Sequence, residues 1–279
     1  MIKNYISLCF RKDQQPWKRN GSQSGYGGGN WRGDRRRGDN RKSKSSTENI
    51  NPREDKPIIF DLSSGRSKME LNDWFKNTAP SKICRSDGVG WIYILSETIA
   101  IEDRKRLFES YEGIVSLKQE WSKINENPEN EVTFETFKDL AEKHDCKQGK
   151  WTIHAQQVDD IWQNLALAFA YDKFPKGTIA IKVSPFDDLD TSGKNEHVIC
   201  VINQDMSDET EVFGVEKSLR NIPIRGELMY KPNIYTELGI YRSNKFGIRP
   251  TIYKSVKKVV GGDSGFEIQN IAKDEWLYR

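Results

Sequence analysis

The sequence predicts an α+β domain in which an antiparallel sheet is backed by helices. Short stretches rich in β-branched and aromatic residues are interspersed with stretches whose apolar residues recur at helical spacing. Two predicted strands, 178–183 and 197–202, are joined by a polar link with no room for a crossover helix. Because parallel strands need such a crossover, this pair is predicted to be antiparallel.

Four segments are predicted as strands, and three shorter pieces as extended chain. The strands are 89–95, 151–154, 178–183 and 197–202, and the extended pieces are 228–230, 238–242 and 251–253. Trp151 and Cys200 lie in these strands among apolar residues, so both are predicted to be core side chains.

Three helices are predicted between these strands. The clearest covers 158–171, where apolar side chains recur at helical spacing and form one stripe that includes Trp162. Thr133 is expected to cap a second helix that ends near Gly149. The polar pair Ser207-Asp208 is expected to begin a third helix.

Charge is distributed unevenly along the chain. The first 56 residues hold 14 basic and 6 acidic side chains, a net charge of +8, whereas the remainder has a net charge of −5. We therefore divide the chain into a disordered basic Gly/Arg-rich arm at 1–56, a single α+β domain at 57–255 and a C-terminal extension at 256–279. A basic arm on a mildly acidic body is typical of a tail that binds polyanions.

The arm combines glycine, arginine and aromatic residues and lacks aliphatic residues between positions 16 and 44. Its candidate RNA-binding side chains are Trp17, Arg19, Trp31, Arg32, Arg35, Arg36 and Arg37. Guanidinium groups pair with phosphates and aromatic rings stack on unpaired bases, so this composition predicts weak, salt-dependent RNA binding. Two alternatives stay open: a solubilising linker, and a localisation signal centred on 35–37.

No catalytic constellation stands out in the sequence. The four cysteines are far apart without a CxxC motif, and no P-loop or complete metal-ligand motif is present. We therefore predict a protein that is not an enzyme, holds no metal or cofactor and has no disulfide framework. This cysteine usage indicates a reducing cytoplasmic or nuclear setting. No apolar run reaches the roughly 18 residues that a membrane span needs.

The residue types do predict a binding surface of aromatic and cationic side chains. A planar base can stack on an aromatic ring while cations hold a phosphate. The candidate ligand-binding residues are Trp121, Lys182, Lys194, His197, Arg242 and Lys245. Charged residues surround Trp121, which favours an exposed ring.

Several motifs in the domain resemble those of two known families. They are Gly149-Lys150-Trp151-Thr152-Ile153, Lys182-Val183-Ser184, His197-Val198-Ile199-Cys200-Val201, Tyr230-Lys231-Pro232-Asn233-Ile234-Tyr235-Thr236 and Leu238-Gly239-Ile240-Tyr241-Arg242-Ser243-Asn244-Lys245-Phe246. The motifs at 149–153 and 197–201, together with the segments 161–162, 177–183 and 218–220, are similar in order and spacing to the mRNA-cap-binding translation initiation factor. More closely, the chain resembles the family of the basophilic-leukaemia-expressed protein Bles over about residues 85–255, through the motifs from Lys182 onward and the segment 250–253. The resemblance implies a curved antiparallel sheet with helices on its convex face and a concave face for a ligand.

The resemblance carries over to the candidate site only in part. Trp121 falls where the cap-binding factor has one of its two base-stacking tryptophans, and Lys182 and His197 fall near the factor's basic residues. The segment 144–148 has no counterpart of the second tryptophan and its adjacent glutamate. Tight methylated-cap binding is therefore not predicted.

Two functional hypotheses follow. The leading one is a non-enzymatic RNA- or nucleotide-associating protein with a cap-binding-factor-like domain, an Arg/Gly-rich tail and no membrane partner. The rival is a protein-interaction module on the same scaffold without a nucleotide ligand. A pocket rimmed by Lys182, His197 and Arg242 would favour the first hypothesis, and a flat apolar patch would favour the second.

Overall fold

The structure of the domain comes from a computed structural model. It describes residues 56–277, with gaps at 109–110, 128, 130, 192, 194, 223 and 261–262. The predicted arm therefore lies outside the described residues, except for Lys56 at its end.

The described residues form one nine-stranded sheet in the order β1-β2-β4-β5-β3-β6-β7-β8-β9. The strands are β1 (Lys56–Asp61), β2 (Val89–Leu95), β3 (Gly149–Ala155), β4 (Thr178–Val183), β5 (His197–Asn203), β6 (Leu228–Pro232), β7 (Tyr253–Val260), β8 (Asp263–Asn270) and β9 (Glu275–Leu277). Every neighbouring pair is antiparallel except β1 and β2, so the sheet is mixed at that edge.

Seven α-helices accompany the sheet in the described part of the chain. They are α1 (Glu70–Asn77), α2 (Ile101–Phe108), α3 (Glu112–Glu126), α4 (Phe134–Lys143), α5 (Asp159–Ala170), α6 (Glu209–Asn221) and α7 (Asn233–Glu237). Short 3-10 turns cover Leu62–Ser64, Pro80–Lys82 and Arg85–Asp87. The predicted α+β class, with a sheet backed by helices, is confirmed.

The central hairpin confirms the argument from loop length. β4 and β5 pair antiparallel, with Lys182 opposite Cys200 and Val183 opposite Ile199. The polar link between the two strands contains no helix among its described residues. At the start of α6, the Asp208 side chain accepts a hydrogen bond from the Glu211 amide, as expected of an N-cap.

Two expectations about local structure are wrong. The helix capped by Thr133 ends at Lys143, because Asp145 adopts a left-handed conformation with φ 54°. The segment 238–242 is not extended but follows α7 as a turn, in which Gly239 takes φ 70° and the Ile240 amide donates to the Tyr235 carbonyl. Ile240 is nevertheless buried, which explains the apolar signal in that segment.

The main hydrophobic core lies between the helices and one face of the sheet. Trp151 and Trp162 are both fully buried in it, as predicted. The Trp151 indole Nε1 donates to the Val212 carbonyl of α6 at 2.8 Å. At the start of β3, Gly149 leaves room for the Tyr230 hydroxyl, which would lie 2.0 Å from a Cβ at that position. That hydroxyl donates to Asn203 Oδ1 at 2.6 Å and ties three strands together.

The opposite face of the sheet is covered only in part. A smaller apolar cluster there contains Tyr93, Leu95 and Ile202, with α2 packed on it through Leu107 and Phe108. Beyond this cluster, polar and charged side chains occupy the same face. The candidate functional site lies where this apolar cluster meets the uncovered part of the sheet.

Candidate functional site

Three lysines lie on the sheet face opposite the main core, together with two aromatic residues. We call Trp91, Tyr93, Lys150, Lys182 and Lys231 the lysine face. Strand register places them together: Tyr93 lies opposite Lys182, and Lys150 lies opposite Lys231. Residues opposite one another or two apart along a strand share a face, so all five side chains leave the sheet on the same side.

Lys182 lies against the aromatic pair. Its Nζ is 4.1 Å from the centroid of the Trp91 ring and 5.4 Å from that of Tyr93. It also donates to the Tyr93 hydroxyl at 3.3 Å. Burial lowers the pKa of Lys182, because removal from water disfavours the ammonium form. No carboxylate of the described residues lies within ion-pair distance of this ammonium.

Lys150 is held by α7, the short helix that directly follows β6. Its Nζ donates to Asn233 Oδ1 at 2.9 Å and to Thr236 Oγ1 at 3.3 Å. Both partners are neutral, and burial again lowers the pKa of this lysine, with a smaller contribution from the charge of Lys182. Glu237 acts in the opposite direction but is not within ion-pair distance of Lys150.

Lys231 makes the fewest contacts of the three. Its Nζ lies 4.2 Å from the centroid of the Tyr241 ring. Among the described residues it has no hydrogen-bond or ion-pair partner. Burial, followed by the neighbouring charge of Lys150, lowers the pKa of Lys231 to about 8.

The electrostatic consequence is a face that favours anions. Partly buried ammonium groups are costly without a countercharge, and like charges directly opposite in a sheet destabilise the pair. Lys150 and Lys231 are such a pair. An anion placed against them would supply the missing countercharge.

The predicted site residues do not converge on this face. His197 is only 3% exposed, and its Nδ1 lies 2.9 Å from the Ser184 carbonyl, to which it donates. It points to the core side of β5 with Ile199, whereas Lys182 is opposite Cys200 on the other side. The predicted rim of Lys182, His197 and Arg242 is therefore split between two faces. Arg242 lies exposed in the turn after α7.

Trp121 and Lys245 line a separate cavity of about 260 Å³. The expectation of an exposed Trp121 ring is wrong, because it is 8% exposed and packs against Phe137 and Phe246 at ring distances of 5.2 and 5.3 Å. Lys245 Nζ donates to the Asn125 carbonyl at 2.7 Å. Lys194 lies outside the described residues. Ligand roles for these three side chains, and for His197 and Arg242, stay predictions.

Sequence reasoning missed four of the five members of the lysine face. Lys150 and Lys231 each interrupt an apolar or aromatic strand, next to Trp151 and Tyr230, and that interruption is a visible signal. Their pairing joins positions 81 residues apart and depends on strand register, which the sequence does not reveal.

Other polar clusters in the described residues are satisfied within the fold. His144 lies 3.1 Å from Ser116 Oγ through Nδ1 and 2.8 Å from Glu120 Oε2 through Nε2. The Ser116 hydroxyl also lies within hydrogen-bond distance of the Glu112 carbonyl in its own helix, so the group ties α3 to the end of α4. No cluster of three metal-binding side chains occurs among the described residues. A second cavity, of about 440 Å³, lies at the other end of β3, beside His154 and Met229.

Comparison with known proteins finds a match to one family model over part of the chain. Residues 115–239 match the model of the family described as basophilic leukemia-expressed protein Bles03. The resemblance to the Bles family is confirmed over this segment. All three lysines of the lysine face lie inside it, whereas Trp91 and Tyr93 precede it.

One solved structure that this chain matches is the crystal structure of schistosome eIF4E complexed with m7GpppA and 4E-BP. The two sequences are 14% identical, and the TM-score is 0.31. The match covers 39% of this chain and 58% of the schistosome chain. In the described part of the present chain, no helix has the length and apolar character needed to cross a membrane.

Proposed function

We propose that this protein is a non-enzymatic RNA- or nucleotide-associating protein whose body binds its ligand on the lysine face. The observation that carries the proposal is the group of three partly buried lysines without an ion-pair partner among the described residues. Phosphate groups are the anions that RNA and nucleotides present, and lysine binds them as a point charge.

The aromatic residues beside Lys182 make a nucleotide a better ligand than a simple anion. Trp91 is partly exposed, and its ring is oriented by the ammonium 4.1 Å above it. A tryptophan ring offers a surface on which bases stack with little sequence preference. Tyr93 is 5% exposed and packs against the Phe108 ring at 4.9 Å, so the stacking surface is that of Trp91. Within the five described residues of the lysine face, one partly exposed tryptophan rather than two facing tryptophans favours loose base recognition over tight binding of a methylated cap.

The basic arm would add affinity that does not depend on sequence. Its net charge of +8 acts through release of counterions from RNA, so its contribution falls as salt rises. The arm would then contact backbone phosphates along an RNA strand, and the lysine face would bind one phosphate-bearing group of the same strand.

Two cysteines support a binding role over catalysis. Burial raises the pKa of Cys146 to about 11, and nearby Asp188 and Asp87 add to desolvation in raising the pKa of Cys84. Since the thiolate is the nucleophilic form, neither thiol is activated at neutral pH.

The test is binding of a fluorescent single-stranded RNA to the full chain, measured by anisotropy. We expect Lys182→Met to weaken binding by about tenfold, the loss of roughly one charge-assisted contact. Lys254→Met is the matched control, because Lys254 lies on the same face but pairs with Glu227 at 2.8 Å. Equal affinities for wild type and Lys182→Met would contradict the proposal, and a chain that binds neither RNA nor nucleotides would favour the rival interaction module.

The role of the arm needs a separate variant of the full chain. Replacing Arg35, Arg36 and Arg37 with glutamine removes three charges. We expect the slope of log affinity against log salt to become shallower by about two to three units. An unchanged slope would leave the arm as a solubiliser.

A further inference from the structure

We infer that Lys150 and Lys231 hold a terminal phosphate group, the phosphomonoester end of a nucleotide or of RNA. This inference rests on the proposed function and deepens it, because it names the group that the lysine face recognises. The two lysines lie directly opposite each other in adjacent strands and on the same face of the sheet.

The pairing is unusual within the sheet. Among the strand pairings of the described residues, only that of Lys150 with Lys231 places two lysines opposite each other. Lys150 and Lys231 are opposed to one another, although opposite charges at these positions would stabilise the sheet. At such a pair, near the middle of the sheet, a bound anion would supply the missing countercharge.

The groups around the pair suit a phosphate. Thr236 Oγ1 accepts from Lys150, so its own hydrogen is free to donate to a bound oxygen. Asn233 accepts from Lys150 through Oδ1 and donates through Nδ2 to Gln148 Oε1 at 3.2 Å, which fixes the orientation of its amide. Two ammonium groups and one hydroxyl can therefore address three phosphate oxygens.

Charge matching separates a terminal phosphate from an internal one. A phosphomonoester carries about −1.5 to −2 charges at pH 7, whereas each phosphodiester in the RNA backbone carries one. The two positive charges of Lys150 and Lys231 match the charge of a phosphomonoester, whereas they exceed the single negative charge of a phosphodiester. A strand end, or a free nucleotide, is thus preferred to the interior of a strand.

Sheet geometry separates the two ends of the lysine face. Trp91 and Tyr93 lie on β2, and Lys150 lies on β3, three strand positions away in the order β2-β4-β5-β3. At about 4.8 Å per strand this is a separation of about 14 Å. Trp91, which is partly exposed, would contact a base, and the paired lysines would contact the terminal phosphate.

The experiment compares two fluorescent RNAs of identical sequence, one with a 5′-phosphate and one with a 5′-hydroxyl, binding to the full chain. We expect about tenfold tighter binding of the phosphorylated RNA. Lys231→Met and Lys150→Met should each abolish that preference, so that each variant binds the 5′-phosphate RNA no more tightly than the 5′-hydroxyl RNA. Lys254→Met should retain the preference. Equal affinities of the wild type for the two RNAs, or a preference that survives both lysine variants, would overturn the inference.

Two further measurements identify the source of the phosphate. AMP is compared with adenosine by calorimetry, and inorganic phosphate is tested by thermal stabilisation of the full chain. If AMP binds and neither RNA does, the ligand is a free nucleotide. If only inorganic phosphate stabilises the protein, and Lys231→Met removes that effect, the phosphate site stands and the proposed function fails. If a phosphate group changes neither RNA binding, nor adenosine binding, nor thermal stability, the inference fails even where the RNAs bind.

Discussion

The two faces of the central sheet differ in whether their polar groups have partners within the fold, although the same strands form both faces. On β3, Trp151 turns to the helices, is fully buried and has its indole N–H bonded to Val212. Lys150, one residue earlier, turns to the other face and lies opposite another lysine. The Trp151 indole is therefore bonded within the fold, whereas the other face has excess positive charge. The first face stabilises the scaffold, and the second is the face on which we propose that the ligand binds.

The buried charges on the helix side sharpen this contrast. Arg220 of α6 bonds to Glu216 Oε1 at 3.1 Å and to Ser255 Oγ at 2.7 Å, and Ser255 in turn donates to Glu216 at 2.6 Å. Here a buried cation comes with a carboxylate and a hydroxyl that satisfy it, as a stable interior requires. The lysine face also has partly buried cations, but no carboxylate of the described residues pairs with them. That omission, rather than polarity as such, distinguishes the two faces.

The largest expected effect comes from truncating the indole on the helix side. Trp151→Ala removes a fully buried ring that packs on Tyr230 at 5.3 Å, so it should lower the free energy of unfolding by about 3–5 kcal/mol. Trp91→Ala on the lysine face should lower it by less than about half as much, because that ring is partly exposed. Urea denaturation of both variants measures the difference. Similar losses for the two would break the division into a scaffold face and a ligand face.

Much of the scaffold face could be predicted from the sequence. The stripe of α5 and the alternating residues of β4 and β5 are local patterns, and each marks a side chain that is buried wherever its element packs. The helices α2 and α3 were missed because charged residues dominate them. In α3 the buried residues Ile114, Leu117 and Trp121 recur at helical spacing, but charges between them obscure the stripe.

For the lysine face, only the types of residue could be predicted from the sequence. Lys182 was identified from its residue type and position, whereas its partners depend on which strands become neighbours. His197 was assigned to the same pocket, and the structure places it on the other side of the sheet because side chains alternate along β5. Long-range register therefore decides the site, and register emerges only from the packed sheet.

A smaller effect, of opposite sign, is expected on the lysine face. Lys231→Met removes one of two like charges that oppose each other and keeps the apolar stem of the side chain, so it should raise the free energy of unfolding by about 0.5–1 kcal/mol. The same variant should lose phosphate binding, so stability and function would move in opposite directions. Urea denaturation without added phosphate measures the gain.

Lys254→Met again supplies the control. It lies on the same face, but its removal breaks an ion pair with Glu227, so its effect should be zero or slightly destabilising. A loss of stability in Lys231→Met as large as that in Lys254→Met would mean that Lys231 is a stabilising surface residue. The contrast between the two faces would then not rest on unbalanced charge.

The smallest expected effect is the pH dependence of that gain. Burial and Lys150 hold the pKa of folded Lys231 at about 8, against an ordinary value of 10.5, so between these values the unfolded chain keeps a proton that the folded chain has lost. Stability rises with pH wherever the unfolded state binds more protons, so the wild type should approach Lys231→Met across this window. The gap between them in urea denaturation should be full at pH 7 and shrink steadily toward pH 10. In a Lys150→Met background the shrinkage should begin at higher pH, because one cause of the lowered pKa is gone. A gap that stays constant from pH 7 to 10 would mean that Lys231 is as well hydrated as an ordinary surface lysine, and the two faces would then differ in packing but not in charge.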